Sequence, residues 1–262
     1  VQTPITYYGG KQRLVSTILP LIPEHTAYVE PFAGGAAILF AKPKSKVEVI
    51  NDTNSEVILF YKVVKTQFTK LQKEIRATLH SRELHRKAKF IYEHPHLFTD
   101  IERAWALWVN SVMSYSSILG STWSCGFESA TSERKVHSKK KSFTKELSDR
   151  LELVQVESRD ALEVVLGRDN PTTFFYVDPP YIDTACGHYT GYTRDDFEKL
   201  LVALSKIKGK FLLSSFPSDL LEKYSRKYKW QTKTIEMNLC VQGAKKNGRR
   251  KTEVLTANYS IN

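Results

Sequence analysis

Phe174–Ile182 reads FFYVDPPYI. The apolar run at its start, which extends back to Thr173, has the composition of a strand buried on both faces. The chain then stops on Asp178, Pro179, Pro180 and Tyr181. Proline cannot donate to a sheet ladder and turns the residue before it away from helix, so Asp178 is expected on a short extended tongue just past the strand. An ionised carboxylate only accepts hydrogen bonds, and the Pro179 carbonyl is a second acceptor beside it. Two such acceptors would hold both protons of an exocyclic amine and turn its lone pair out of the plane of the base. The Tyr181 ring could stack on that base, a contact of roughly 1–3 kcal/mol. The plainer alternative is a sharp strand exit.

Working outward, AYVEPF (Ala27–Phe32) and VEVIND (Val47–Asp52) are further apolar runs, each with an acid at or near its end. KFLLSSF (Lys210–Phe216) follows a helical pattern in RDDFEKLLVALSKIKG that closes on Gly209. EVLTANYSI alternates like a half-exposed strand. Strands alternating with helices indicate an α/β sheet covered on both faces. From about Ser55 to Glu157 the pattern turns helical instead: EVILFYKVVKTQFTKLQKEIRATL, SRELHRKAKFIYEH and DIERAWALWVNSVMSYSSIL follow one another. Their Trp, Phe and Tyr residues fall at helical spacing, which reads as core rather than as base-stacking platforms.

The chain has 262 residues, 41% hydrophobic and 26% charged, and a formal net charge of +11. The size suffices for one large domain with an insertion, and the positive balance points to a polyanionic partner. Two clusters concentrate the charge, SERKVHSKKKSFTK (Ser132–Lys145) and KKNGRRK (Lys245–Lys251). Their Ser, Gly and Asn residues suggest loop or hairpin. No apolar run is long enough for a membrane span, and the first residues lack the apolar core of a signal peptide. Cys125, Cys186 and Cys240 lie far apart, without metal-ligand spacing, and suit a reducing cytoplasm.

In YVEPFAGGAAILF a strand ends on Glu30, the backbone turns at Gly34 and Gly35, and a helix begins. Paired glycines allow close approach of a ligand, and a helix N-terminus offers N–H donors. The turn lacks GxGxxG and the Walker lysine, so phosphate binding is poorly supported. Asp52 follows about twenty residues on, where a dinucleotide-binding fold puts its ribose acid; it would equally serve as a helix N-cap. Glu30 and Asp52 together favour a nucleoside-bearing cofactor.

In this order, ITYYGGK, VEPFAGGAA, the Asp of IND, VDPPY and RKTEVLTANY resemble the Dam-type DNA adenine-N6 methyltransferases, the D12 class or alpha group. The likeness covers roughly residues 5–60 and 157–260. It implies an α/β, Rossmann-like methyltransferase sheet that uses S-adenosyl-L-methionine, interrupted by a helical target-recognition domain. On that layout the catalytic domain is 1–56 with 157–262, and 57–156 is the recognition domain with a basic hairpin. The implied reaction is site-specific methyl transfer to N6 of an adenine flipped out of double-stranded DNA. The alternatives are N4-cytosine methylation and a catalytically inactive DNA-binding relative. The likeness assigns Tyr7 and Lys11 to the cofactor, with Tyr7 where the family has tryptophan. It further assigns Glu30, Pro31, Phe32, Ala33, Gly34 and Gly35 to the methionine portion, Asp52 to the ribose and Asp160 to the cofactor adenine. Asp160 also reads as an ordinary N-cap for ALEVVL. Asp178, Pro179, Pro180 and Tyr181 would hold the target adenine, with Asp178 also at the cofactor.

The middle region departs from the family. Asn110 is followed by Ser111 and a later Asn-Gly is missing, so GATC recognition does not carry over. A hairpin near Trp123–Lys141 would put Arg134, Lys135, Lys139, Lys140 and Lys141 near DNA, largely on phosphates. Asn110, Lys245, Lys246, Arg249 and Arg250 complete the candidate DNA surface. The segment YIDTACGHYTGYTRDD after the tongue is expected to close over a flipped base. Its His188 is not needed as a base, because the proton on N6 can leave after the methyl arrives. No metal, membrane or obligate protein partner is expected, and the setting is the cytoplasm of a bacterium or phage-infected cell.

Overall fold

The apolar run before Asp178 forms β4 (Thr173–Val177), with all five residues buried. The structure, a computed structural model, describes residues 1–126, 129–182, 192–238 and 250–261, without the side chains of 237, 238, 250 and 251. A seven-stranded sheet joins β4 to β1 (Ala27–Glu30), β2 (Val47–Asn51), β3 (Val154–Glu157), β5 (Lys210–Ser215), β6 (Gln231–Asn238) and β7 (Arg250–Ala257) in the order β3-β2-β1-β4-β5-β7-β6. The β2–β3, β1–β4 and β4–β5 pairs are parallel, whereas β7 runs antiparallel to both β5 and β6. This is the α/β sheet expected from the apolar runs. Among the described residues no helix is long and apolar enough to cross a membrane.

Two strands escaped the sequence reading. VQVE (β3) is short, has a single partner and buries little, and QTKTIEMN (β6) carries polar residues along an edge. Neither offers the apolar density by which a strand announces itself. The strand from EVLTANYSI differs from expectation too: Glu253–Ala257 are all buried rather than half-exposed, because β7 lies between β5 and β6.

The chain divides into two compact units, residues 1–20 with 33–159 and residues 21–32 with 160–262. The first holds β2, β3 and α1 (Val15–Ile18), α2 (Ala37–Ala41), α3 (Ser55–Thr66), α4 (Phe68–Ala77), α5 (Arg82–Glu93), α6 (Asp100–Met113), α7 (Thr131–Ser142) and α8 (Lys145–Leu151). The long helical pattern after Ser55 breaks at Gln67, whose φ of −134° and ψ of 33° lie outside the helix. At the start of α6 a capping box between Thr99 and Glu102 satisfies N–H groups that would otherwise lack partners. Every residue of α6 from Ala104 to Met113 is buried, Trp108 fully. Trp105, Trp108, Phe60 and Tyr61 are therefore core, as their spacing indicated. Phe68 stacks on Phe143 with centroids 5.3 Å apart.

The basic run at 132–145 departs from expectation. Most of it is the helix α7, not a loop or hairpin, and the antiparallel pairing nearby among the described residues is a bridge between Ser114 and Trp123. Only Val136 of α7 is buried, so the run carries no apolar stripe that could have revealed a helix. The second unit holds β1, β4–β7 and α9 (Ala161–Gly167), α10 (Arg194–Leu204) and α11 (Asp219–Tyr228).

Within the first unit lies a buried ionic triad. Glu48, 4% exposed, accepts from Lys42 Nζ at 2.7 Å and from Arg150 Nη2 at 2.9 Å, and Arg150 Nη2 also donates to the Leu39 carbonyl at 2.7 Å. Burial pushes the Glu48 carboxyl up, but Arg150 and Lys42 outweigh it and hold the group below its ordinary value. The triad's stabilisation is therefore present above pH 4.5 and fades as the pH falls through the lowered folded value. Removing one member strands the others: Glu48→Ala should cost about 3–5 kcal/mol, read as a lower midpoint in urea titration at neutral pH.

Candidate functional site

In the first unit the glycine turn follows β1 and is held from several sides. Gly34 adopts φ +45° and Ala36 φ +48°, the left-handed region that only glycine enters without strain. The Ala33 N–H donates to the Asn51 carbonyl at 2.8 Å and the Ala36 N–H to the Ala33 carbonyl at 2.6 Å. Tyr61 donates its hydroxyl to the Gly34 carbonyl at 2.7 Å, and Thr3 donates to the Gly35 carbonyl. A Cβ at Gly34 would stand 2.9 Å from Cδ1 of Tyr7, so the ring of Tyr7 lies against the bare backbone. Lys11, expected beside it, is buried and donates to the Gly9 carbonyl at 2.9 Å.

Asp52 supports this turn. Its Oδ2 accepts the Gly34 N–H at 2.8 Å and its Oδ1 the Asn54 N–H at 2.9 Å. The N-cap of α3 is Asn54, whose side chain accepts from the Glu56 N–H, so the capping role considered for Asp52 belongs two residues on. One N–H expected to await a ligand is thus taken by Asp52. Burial raises the Asp52 carboxyl and these two N–H groups draw it back only in part.

The second unit presents the tongue. Pro179 is buried, while Asp178, Pro180 and Tyr181 are half-buried. Tyr181 Oη donates toward Asp178 Oδ1 at 3.1 Å and toward Glu253 Oε1, and lies 3.4 Å from Ser214 Oγ. Ser214 donates to the same Glu253 oxygen at 2.5 Å. Burial, then the charges of Asp178 and Glu253, raise the Tyr181 phenol well above its ordinary value, so it keeps its hydrogen. The neighbouring Tyr176 is raised by burial and by the carboxylates of Asp178, Glu30 and Glu253. Three acids from β1, the tongue and β7 thus act on one phenol. Glu30 is itself buried and accepts from the Tyr28 hydroxyl.

A hollow of about 120 Å³ opens beside the tongue, lined by Pro180, Tyr181, Phe197, Ser215 and Phe216 among others. The rings of Tyr181 and Phe216 meet edge to face at 4.4 Å. The buried Ser215 hydroxyl has no hydrogen-bond partner among the described residues. In the same unit Phe32 meets Tyr192 edge to face at 6.3 Å. Asp160 is exposed and caps α9, accepting the Leu162 N–H at 2.8 Å.

Sequence reasoning passed over Glu253, Ser214, Tyr61 and Thr3. Only Glu253 carried a signal, an acid inside the apolar run of β7. The hydroxyls of Ser214, Tyr61 and Thr3 carry none.

The candidate DNA surface changes most. Asn110 is fully buried; its Nδ2 donates to the Ala106 carbonyl at 2.9 Å and its Oδ1 accepts the Gly120 N–H at 3.3 Å. It braces a turn and cannot meet DNA from there, a correction to its expected role. Lys135 donates to Ser117 Oγ at 2.8 Å, Lys139 to the Thr3 carbonyl at 2.6 Å and Lys140 to the Thr78 carbonyl at 2.7 Å. Three amines expected at phosphates are thereby engaged with the protein itself, while Arg134 and Lys141 are exposed. Tyr115, on the turn that Asn110 braces, is 57% exposed. Lys245, Lys246, Arg249, His188 and the loop 183–191 lie outside the described residues, as does the side chain of Arg250.

A sequence profile described as D12 class N6 adenine-specific DNA methyltransferase matches residues 7–238. The chain is 35% identical over 80 residues to the type II methyltransferase M.MjaIII of Methanocaldococcus jannaschii, covering 27% of this chain and 28% of that protein. It is 34% identical over 68 residues to the modification methylase StsI of Streptococcus sanguinis, covering 26% and 10% respectively. It is 45% identical over 58 residues to the type II methyltransferase M1.LlaDCHI of Lactococcus lactis subsp. cremoris, covering 22% and 20%. The matched stretches thus span less than a third of each relative's length.

Two outcomes test this geometry. Gly34→Ala should destabilise the protein by about 1–3 kcal/mol, and Tyr7→Ala in the same chain should restore the steric part of that loss, as a chemical-denaturation cycle would reveal. Burial lowers Lys135 and Lys139 to about 8, with the charge of Lys135 adding to the effect on Lys139. Between that value and the ordinary 10.5 the unfolded chain holds more protons, so stability should rise with pH. Thermal midpoints measured between about pH 7 and 9.5 should climb, and less steeply in Lys135→Met/Lys139→Met.

Proposed function

Since the chain belongs to the D12 class N6 adenine-specific DNA methyltransferase family, we propose that it transfers a methyl group from S-adenosyl-L-methionine to N6 of an adenine flipped from duplex DNA. The observation that carries this reading is the tongue: an acceptor pair, Asp178 and the Pro179 carbonyl, beside an aromatic-lined hollow.

The residues suit the two ligands in different ways. S-adenosyl-L-methionine supplies a methyl group on a positively charged sulfonium, and a buried cation needs nearby negative charge. Glu30, Asp178 and Glu253 are the acids that would supply it. Gly34 lets the Tyr7 ring lie against the turn that would hold the methionine portion, and Lys11 joins Tyr7 in serving the cofactor. Asp52, half-exposed and fixed by two N–H donors, serves the ribose, and Asp160 the cofactor adenine.

For the target base, Asp178 and the Pro179 carbonyl accept the two amine hydrogens and turn the nitrogen lone pair toward the methyl. The Tyr181 face covers the base, a contact of roughly 1–3 kcal/mol. The Ser215 hydroxyl lines the hollow with hydrogen-bonding capacity for a base edge. Extruding a base costs a few kcal/mol. Arg134, Lys141 and the cluster Lys245, Lys246, Arg249 and Arg250 offset that cost through phosphates, with a strength that falls as salt rises. The work is done where the DNA lies, in the cytoplasm of a bacterium or phage-infected cell.

Tritiated S-adenosyl-L-methionine and unmethylated duplex DNA test the reaction. After digestion to nucleosides the label should co-migrate with N6-methyladenosine; label on N4-methylcytidine, or none on DNA, would refute the assignment. Asp178→Ala should abolish incorporation while retaining DNA affinity in a gel-shift titration.

A further inference from the structure

A single hydrogen at Tyr181 faces two carboxylates. The phenol oxygen lies 3.1 Å from Asp178 Oδ1 and closer still to Glu253 Oε1, and one O–H satisfies only one of them at a time. Glu253 is 1% exposed, and its Oε1 also takes the Ser214 hydroxyl at 2.5 Å. A charge at this position competes with another charge for the same hydrogen.

Asp178 is that other charge. With the phenol turned toward Asp178, one oxygen of the carboxylate expected to grip the target amine carries this donor. With the phenol turned toward Glu253, Oδ1 is relieved of that hydrogen. We infer that Glu253 is a positioning residue, drawing the Tyr181 hydroxyl away from Asp178 so that Asp178 can accept from the amine, while anchoring the Tyr181 ring beside the hollow. The inference rests on the amine-gripping role of Asp178 proposed above. The fold makes the contact possible because β7 runs antiparallel to β5: the register pairs Ser215 with Val254, which brings Glu253 beside the ends of β4 and β5.

The test is a cycle of Glu253→Gln, Tyr181→Phe and the double variant, assayed with duplex DNA and S-adenosyl-L-methionine. Glutamine keeps the shape but competes poorly against a carboxylate, so the phenol should turn to Asp178. Glu253→Gln should lower kcat about tenfold and leave both KM values within about twofold. In the Tyr181→Phe background the same substitution should change kcat less than about twofold, because no phenol remains to be captured. If Glu253→Gln does not fold, Glu253→Asp withdraws the carboxylate by one methylene and should show the same loss and the same suppression. Wild-type kcat in Glu253→Gln, an equal loss in the Tyr181→Phe background, or a loss confined to KM would each overturn the inference. Asp178→Ala separates the two levels. If it is inactive while Glu253→Gln matches wild type, only the role of Glu253 falls; if it is active, the amine-gripping reading falls first.

Discussion

In the second unit, β1, β4 and β5 run parallel, so their C-terminal ends share one edge of the sheet. That constraint governs the chemistry there. Glu30 ends β1, Asp178 follows β4, and Ser214 and Ser215 end β5; none is near the others in sequence, yet all arrive at one edge. The antiparallel β7 delivers Glu253 to the same place. Acids gathered there must be solvated by the protein once water is excluded. Tyr28, Tyr181 and Ser214 contribute hydroxyls to this.

The first unit solves a different problem, holding a turn with left-handed backbone in place. Asp52 ties the turn to the end of β2, Tyr61 and Thr3 take its carbonyls, and Tyr7 covers its bare face. The unit also engages cations in two ways. Lys42 and Arg150 share a carboxylate, whereas Lys135 and Lys139 donate to neutral oxygens and lose basicity. The second arrangement ties the basic helix α7 to Thr3, which in turn holds the Gly35 carbonyl. Two of the charges that give the chain its basic character are therefore part of its internal structure.

The apolar runs and their punctuation determined β1, β2, β4 and β5, the glycine turn between β1 and α2 and the tongue after β4. Each depends on local rules: residues buried on both faces, glycine where φ is positive, proline where a ladder must end. The order of those motifs was likewise enough to suggest the family. Tertiary structure alone decided the rest. Whether a lysine in SERKVHSKKK meets solvent or a carbonyl depends on which distant segment folds against α7, and the residues themselves do not encode that locally. Asn110 looked like a polar residue available to a ligand until the turn at Gly120 closed over it. Glu253 became a partner of Tyr181 only because an antiparallel strand brought together positions 72 residues apart. Charge and hydrogen-bonding capacity are visible in a sequence; the partners that satisfy them are a property of the fold.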